Sequence, residues 1–209
     1  MNAQTEKLLL QGAAGAVEAL RDPPADGRAS VGVAVIAHPH PLFGGTMDNK
    51  VVQTLARAFV ACGWTAVRFN FRGVGASEGV HDEGRGEAQD FLRVVEQVAP
   101  QGPLAIAGFS FGAFVASQAL QALWADRDIR QAVLVGTAAS RFSVAALPPE
   151  AHERTLVVHG EQDDTVPLSA VMDWARPQSL PVTVIPGGGH FFHGQLPLLK
   201  TLVARHLRA

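Results

Sequence analysis

The sequence predicts an α/β protein, an open, mostly parallel sheet of eight strands with helices on both faces. Three observations carry this. From Ser30 onward, short apolar runs alternate with segments able to form helices, the strand-and-crossover pattern that builds a parallel sheet. The runs show little polar alternation, as strands do when both faces are covered. The segments rich in Gly, His, Ser and Asp follow those runs, which gathers them beyond the carboxyl ends of the strands, where open α/β sheets bind ligands.

The strands are expected at residues 31–37, 65–70, 103–108, 131–136, 155–159 and 182–185, and the helices at 49–61, 87–98, 111–123, 167–175 and 195–207. Ahead of this series, residues 7–11 and 16–20 flank a Gly12 to Gly15 turn and predict an antiparallel hairpin at the sheet edge. No linker or repeat divides the 209 residues, so a single domain over 1–209 is expected. Hydrophobic content of 47% against 17% charged residues describes a globular chain, and a net charge of -2 offers nucleic acid no electrostatic footing. The N-terminus lacks a basic stretch followed by an apolar core, and no apolar run reaches a membrane span. A cytoplasmic protein acting on a small molecule, without nucleic-acid or membrane partners, is the expectation. The single cysteine, Cys62, excludes an intrachain disulfide and a cysteine metal cluster and reads as a small buried residue.

Residues 108–112 read Gly-Phe-Ser-Phe-Gly, between an apolar run and an alanine-rich helical segment. This is a G-x-S-x-G nucleophile elbow in its strand, turn and helix setting, with Gly108 and Gly112 giving the room the sharp turn needs. A serine hydroxyl is a poor nucleophile near neutral pH and requires a general base and a group to orient that base. Among eight histidines, His190 is best placed, because the Gly187-Gly188-Gly189 loop after the last strand brings its imidazole over the sheet edge. His193, beside Phe191 and Phe192, is the runner-up. For the acid, Asp163 ends the turn after the strand at 155–159, while Asp164 is better suited to the start of the next helix, where its charge is favoured.

Attack on a carbonyl creates an oxyanion, and one donor to it is expected to be the backbone N–H of Phe111. The other belongs to the loop His38-Pro39-His40-Pro41-Leu42-Phe43-Gly44, where the prolines have no N–H. Aligning this loop with His-Gly-x-x-Gly oxyanion loops favours Leu42, with His40 second. His40, Phe43, Phe109 and Phe191 are candidate substrate-lining residues. His38 and His40 alternate as metal ligands sometimes do, but no clustered cysteine or glutamate motif accompanies them, so neither metal nor cofactor is expected. Thr46 to Asn49 reads as a helix cap, Arg72 as a brace between turns rather than a ligand for a substrate carboxylate, His159 as support for the acid's turn, and residues 81–87 as solvated surface.

Residues 38–51 (HPHPLFGGTMDNKV), 68–79 (RFNFRGVGASEG) and 187–193 (GGGHFFH) resemble a group of small bacterial serine hydrolases of the α/β-hydrolase superfamily, over nearly the whole chain from Val31. The resemblance implies the α/β-hydrolase fold and a triad of Ser110, Asp163 and His190, in the chain order of that fold. Dienelactone hydrolases share the scaffold but carry cysteine as nucleophile, so Ser110 argues against a dienelactone substrate. Hydrolases of this fold often insert a helical cap after the sixth strand. Here residues 137–154, interrupted by Pro148 and Pro149, leave no room for one. The expected activity is hydrolysis of carboxylic esters or thioesters in an open cleft. A peptidase or acyltransferase uses the same parts, and a non-catalytic binder of the same fold has no need of all three groups.

Overall fold

The computed structural model describes residues 4–24 and 29–208. Its elements are β1 (Glu6–Gln11), β2 (Ala16–Asp22), β3 (Val33–Ala37), α1 (Lys50–Ala61), β4 (Thr65–Phe69), α2 (Arg85–Val98), β5 (Leu104–Phe109), α3 (Phe111–Leu123), β6 (Ile129–Val135), β7 (Thr155–Gly160), α4 (Leu168–Ala175), β8 (Val182–Ile185) and α5 (Leu196–His206). The eight strands form one sheet in the order β1-β2-β4-β3-β5-β6-β7-β8. β1 and β2 are the expected antiparallel hairpin, and β2 is antiparallel to β4. All pairings from β4 to β8 are parallel.

The near-continuous apolar strands are covered on both sides. Val35 and Ala37 of β3 pack with Leu104 and Ile106 of β5 into the core under α2, α3 and α4, whereas Ala34 and Ile36 pack with Ala105 and Ala107 against α1 and α5. Alternate residues of one strand therefore belong to different cores, which is why no polar alternation is visible in the sequence. Among the described residues no helix is long and apolar enough to cross a membrane.

Among the boundaries that depart from expectation, two have a clear physical reason. β6 starts at Ile129 rather than 131, because Ile129 pairs with Leu104 across a register shift that leaves exposed Arg130 unpaired and breaks the apolar pattern. α2 starts at Arg85 rather than 87. Glu87 is fully buried, and its carboxylate accepts the N–H groups of Asp82 at 2.9 Å and Gly84 at 2.8 Å. The segment 81–87 is thus folded around a buried carboxylate, correcting its reading as solvated surface.

The parallel register aligns the strand ends that carry chemistry. Ala37 pairs with Gly108, Phe109 with Val135, Val135 with Val158, and Gly160 with Ile185. The loops after β3, β5, β7 and β8 consequently emerge side by side. After β6, residues 137–154 form a link that ends in a short 3-10 turn, Pro149–Arg154, and no cap domain stands over the sheet edge.

Candidate active site

Ser110 joins β5 to α3 with φ +57° and ψ -118°, a left-handed conformation that costs a non-glycine residue roughly 1–3 kcal/mol. Its surroundings hold it there. Its N–H donates to Val135 O at 2.8 Å, and its carbonyl accepts from Ala113 N–H at 3.0 Å and Phe114 N–H at 3.2 Å. The flanking glycines are required by close approach. A Cβ on Gly108 would stand 2.2 Å from Gly112 O, and one on Gly112 would stand 2.5 Å from Ala37 O and His38 O. The first turn of α3 thus lies directly on β5 and on the end of β3.

His190 Nε2 lies 2.9 Å from Ser110 Oγ, and His190 Nδ1 lies 2.7 Å from Asp163 Oδ2. Asp163 is ionised and acceptor-only, so Nδ1–H donates to it and Nε2 is left to accept the serine proton. Phe109 and Phe191 flank the imidazole at ring-centroid distances of 4.9 and 5.1 Å. The other carboxylate oxygen of Asp163, Oδ1, accepts the N–H groups of Thr165 at 3.0 Å and Val166 at 2.7 Å. Burial by itself would raise the Asp163 pKa, but the hydrogen bonds from His190 and Val166 and the neighbouring imidazoles outweigh it and hold the carboxyl below its ordinary range. His159 closes the same turn. Its Nε2–H donates to Val166 O at 2.8 Å, and burial holds its pKa below the usual value. Among the described residues Asp164, by contrast, accepts only from the Thr165 hydroxyl, at 3.3 Å.

The oxyanion loop uses several of its own N–H groups internally. The Leu42 N–H donates to His40 Nδ1 at 3.2 Å and is therefore already used. Those of Phe43 and Gly45 donate to His40 O at 3.2 and 3.1 Å. Among the described residues the His40 N–H has no hydrogen-bond partner, nor does that of Phe111, the first residue of α3. His40 lies near the elbow, its ring 4.9 Å from that of Phe111. The expected donor, the Leu42 N–H, is thus engaged by side-chain capping from His40, a contact that depends on a rotamer.

His38, by contrast, is a structural residue. Its Nδ1–H donates to Pro39 O at 2.6 Å and its Nε2 accepts from Phe71 N–H at 2.9 Å. Burial pulls its pKa down to about 4, so the ring is neutral. Arg72 is a brace as expected, bonded to Asp90 at 2.7 Å and Gly86 O at 2.9 Å. Asn49 caps α1 through Val51 N–H at 2.9 Å. Cys62 terminates α1 only half-buried, rather than enclosed.

A cavity of about 340 Å³ opens over Ser110 and His190. His40, Phe43 and Phe191 line it as expected, and Phe111 joins them. Phe109 does not; it is fully buried beneath the His190 ring, and Phe192 is likewise in the core. Sequence reasoning missed Arg141 and Phe142 on the cavity wall. They come from the motif-free link after β6, and only the folded path of that link brings them to the site.

A parallel sheet with a strained serine elbow, and a histidine and aspartate hydrogen-bonded behind it, defines the α/β-hydrolase class. Residues 32–197 match the sequence profile of the alpha/beta hydrolase domain, and the chain belongs to that family. A lidless α/β serine hydrolase from Xanthomonas campestris, XC6422, is 34% identical with a TM-score of 0.86, covering 100% of this chain and 95% of that one. An α/β serine hydrolase homologue from Coxiella burnetii is 40% identical with a TM-score of 0.81, covering 97% of each chain. The uncharacterized protein RP471 of Rickettsia prowazekii is 44% identical over 90 residues, 41% of this chain and 38% of that protein. The match thus spans well under half of that relative.

Proposed function

We propose that the protein is a serine hydrolase that cleaves carboxylic esters or thioesters through an acyl-enzyme, without a cofactor. The observation that carries this reading is the hydrogen-bonded series Ser110 Oγ, His190 Nε2, His190 Nδ1 and Asp163 Oδ2, with steps of 2.9 and 2.7 Å, bordering a cavity large enough for a small acyl group. In the first half-reaction His190 takes the Ser110 proton as Oγ attacks the carbonyl carbon, and then delivers it to the leaving alcohol or thiol. In the second, a water attacks the acyl-serine, with His190 again accepting and returning a proton. Asp163 holds the ring in the required tautomer and stabilises the imidazolium. The N–H groups of His40 and Phe111 serve the oxyanion, the latter aided by the positive end of the α3 dipole.

The open setting supports a broad substrate range. Phe43 is 77% exposed and Phe191 44% exposed at the cavity mouth, so little of a substrate is enclosed. Labelling with a fluorophosphonate tests the reading. The expected adduct maps by mass spectrometry to Ser110 and is absent from Ser110→Ala, which also loses p-nitrophenyl ester turnover by several orders of magnitude, toward the roughly 10⁶-fold loss seen in a comparable triad. A folded protein that takes no label would instead be a ligand-binding member of the fold.

A further inference from the structure

Charge is unevenly distributed around the cavity. Among the described residues no aspartate or glutamate lines it, since Asp163 stands behind His190, and Arg141 is the one permanently charged side chain on the wall. Arg141 is exposed, and among the described residues its guanidinium makes neither a hydrogen bond nor an ion pair. The other arginines near this edge are occupied. Arg68 pairs with Asp22 at 3.1 Å and Asp48 at 3.2 Å, and Arg72 pairs with Asp90 at 2.7 Å. Arg141 therefore brings an uncompensated positive charge to a site where the α3 N-terminus already contributes positive potential.

Its position is equally specific. Arg141, Phe142, His40 and Phe43 line both the Ser110 cavity and an adjoining groove of about 760 Å³, so the guanidinium stands where the two spaces meet. Among the described residues the groove's one acidic lining residue is Glu83; its other arginine, Arg85, is paired with Asp82 at 3.2 Å, and its His81 ring lies 2.8 Å from the buried Glu87 carboxylate. Aromatic walls on either side, Phe111 in the cavity and Phe114 in the groove, exclude water from one flank of a bound group and strengthen a charge-assisted hydrogen bond there. The planar guanidinium fork matches a carboxylate in a way a point charge does not.

We infer that Arg141 is a specificity-determining residue that selects esters carrying a carboxylate, seated where the Ser110 cavity meets the neighbouring groove. This rests on the ester-hydrolase reading above. The same charge disfavours cationic esters, because nothing acidic on the cavity wall compensates it.

The test compares mono-p-nitrophenyl adipate with its neutral methyl ester. Binding is measured by calorimetry on Ser110→Ala, and p-nitrophenol release is measured on the active protein. Ser110→Ala is expected to bind the anion about threefold to fivefold more tightly at low ionic strength, the upper range of an exposed ion pair. Raising the salt concentration should narrow that preference. Adding Arg141→Gln should abolish it while neutral-ester binding stays within twofold, and Arg141→Lys should restore part of it. In the active protein the preference should fall on KM rather than kcat. Equal binding of the two esters, or a preference that survives Arg141→Gln, overturns the inference. An Arg141-dependent binding preference without p-nitrophenol release from either ester would sustain the carboxylate subsite and sink the ester-hydrolase reading. Release from both at equal kcat/KM would do the reverse.

Discussion

Asp163 divides its carboxylate between two tasks, giving Oδ2 to His190 Nδ1 at 2.7 Å and Oδ1 to the backbone of its own turn, Thr165 and Val166, at 3.0 and 2.7 Å. The acid that orients the base is thereby fixed to the scaffold. An asparagine at this position can retain the turn through its carbonyl oxygen but presents N–H₂ to the imidazole, favouring the wrong tautomer.

Asp163→Asn should consequently fold with nearly native circular dichroism while kcat for p-nitrophenyl esters falls by about 10⁴. A native-like kcat in the folded variant would remove Asp163 from the mechanism.

The oxyanion donor is testable at a backbone position already suited to proline. His40 has φ -53°, close to the angle proline imposes, so His40→Pro deletes the N–H without demanding a new φ. His40→Ala deletes the ring alone. We expect His40→Pro to fall about 10²–10³-fold below His40→Ala in kcat, the usual cost of one oxyanion donor. Equal rates would return the role to another group.

Gly112→Ala tests why the elbow is built of small residues. Its Cβ would meet two carbonyl oxygens at 2.5 Å, Ala37 O and His38 O, and backbone cannot swing aside as a flexible side chain does. Destabilisation on the order of 4 kcal/mol is expected, seen as a lowered chemical-denaturation midpoint or loss of folded yield. A variant with the native midpoint would show that α3 sits less tightly on β3 than described.

His38 makes stability depend on pH. Its pKa falls from 6.5 to about 4 in the folded chain because burial penalises the imidazolium, and its Nε2 faces the Phe71 N–H. Above pH 6.5 the ring is neutral in both folded and unfolded chains and contributes nothing to the slope. Between 6.5 and 4 the unfolded chain takes up a proton that the folded chain refuses, so stability declines by on the order of 3 kcal/mol and then levels off. His159 and His206, also lowered chiefly by burial, act in the same direction. Urea midpoints measured from pH 7 to 4.5 should fall accordingly, and the His38 ring resonances should stay unchanged down to about pH 5. Titration of that ring near 6.5 would contradict the buried, neutral assignment.

Much of this protein was legible from its sequence because the requirements involved are local. Uninterrupted apolar runs read as doubly covered strands, and Gly108 and Gly112 mark a turn that tolerates no Cβ. The placing of Ser110, Asp163 and His190 in that order after β5, β7 and β8 then followed from the parallel topology, which aligns those strand ends. Tertiary structure alone decided matters that depend on where side chains point across distant segments. It turned Phe109 under the His190 ring while leaving Phe191 at the cavity mouth. It buried Glu87, whose charge had made residues 81–87 look like surface, by supplying backbone N–H groups to its carboxylate. It set the His40 ring against the Leu42 N–H, leaving its own N–H free. And it carried Arg141 from a link without any motif to the cavity wall, where no acidic side chain answers its charge. Periodicity and small residues specify a backbone path, whereas the donors and charges still free to meet a substrate emerge only after the packed side chains have used the rest.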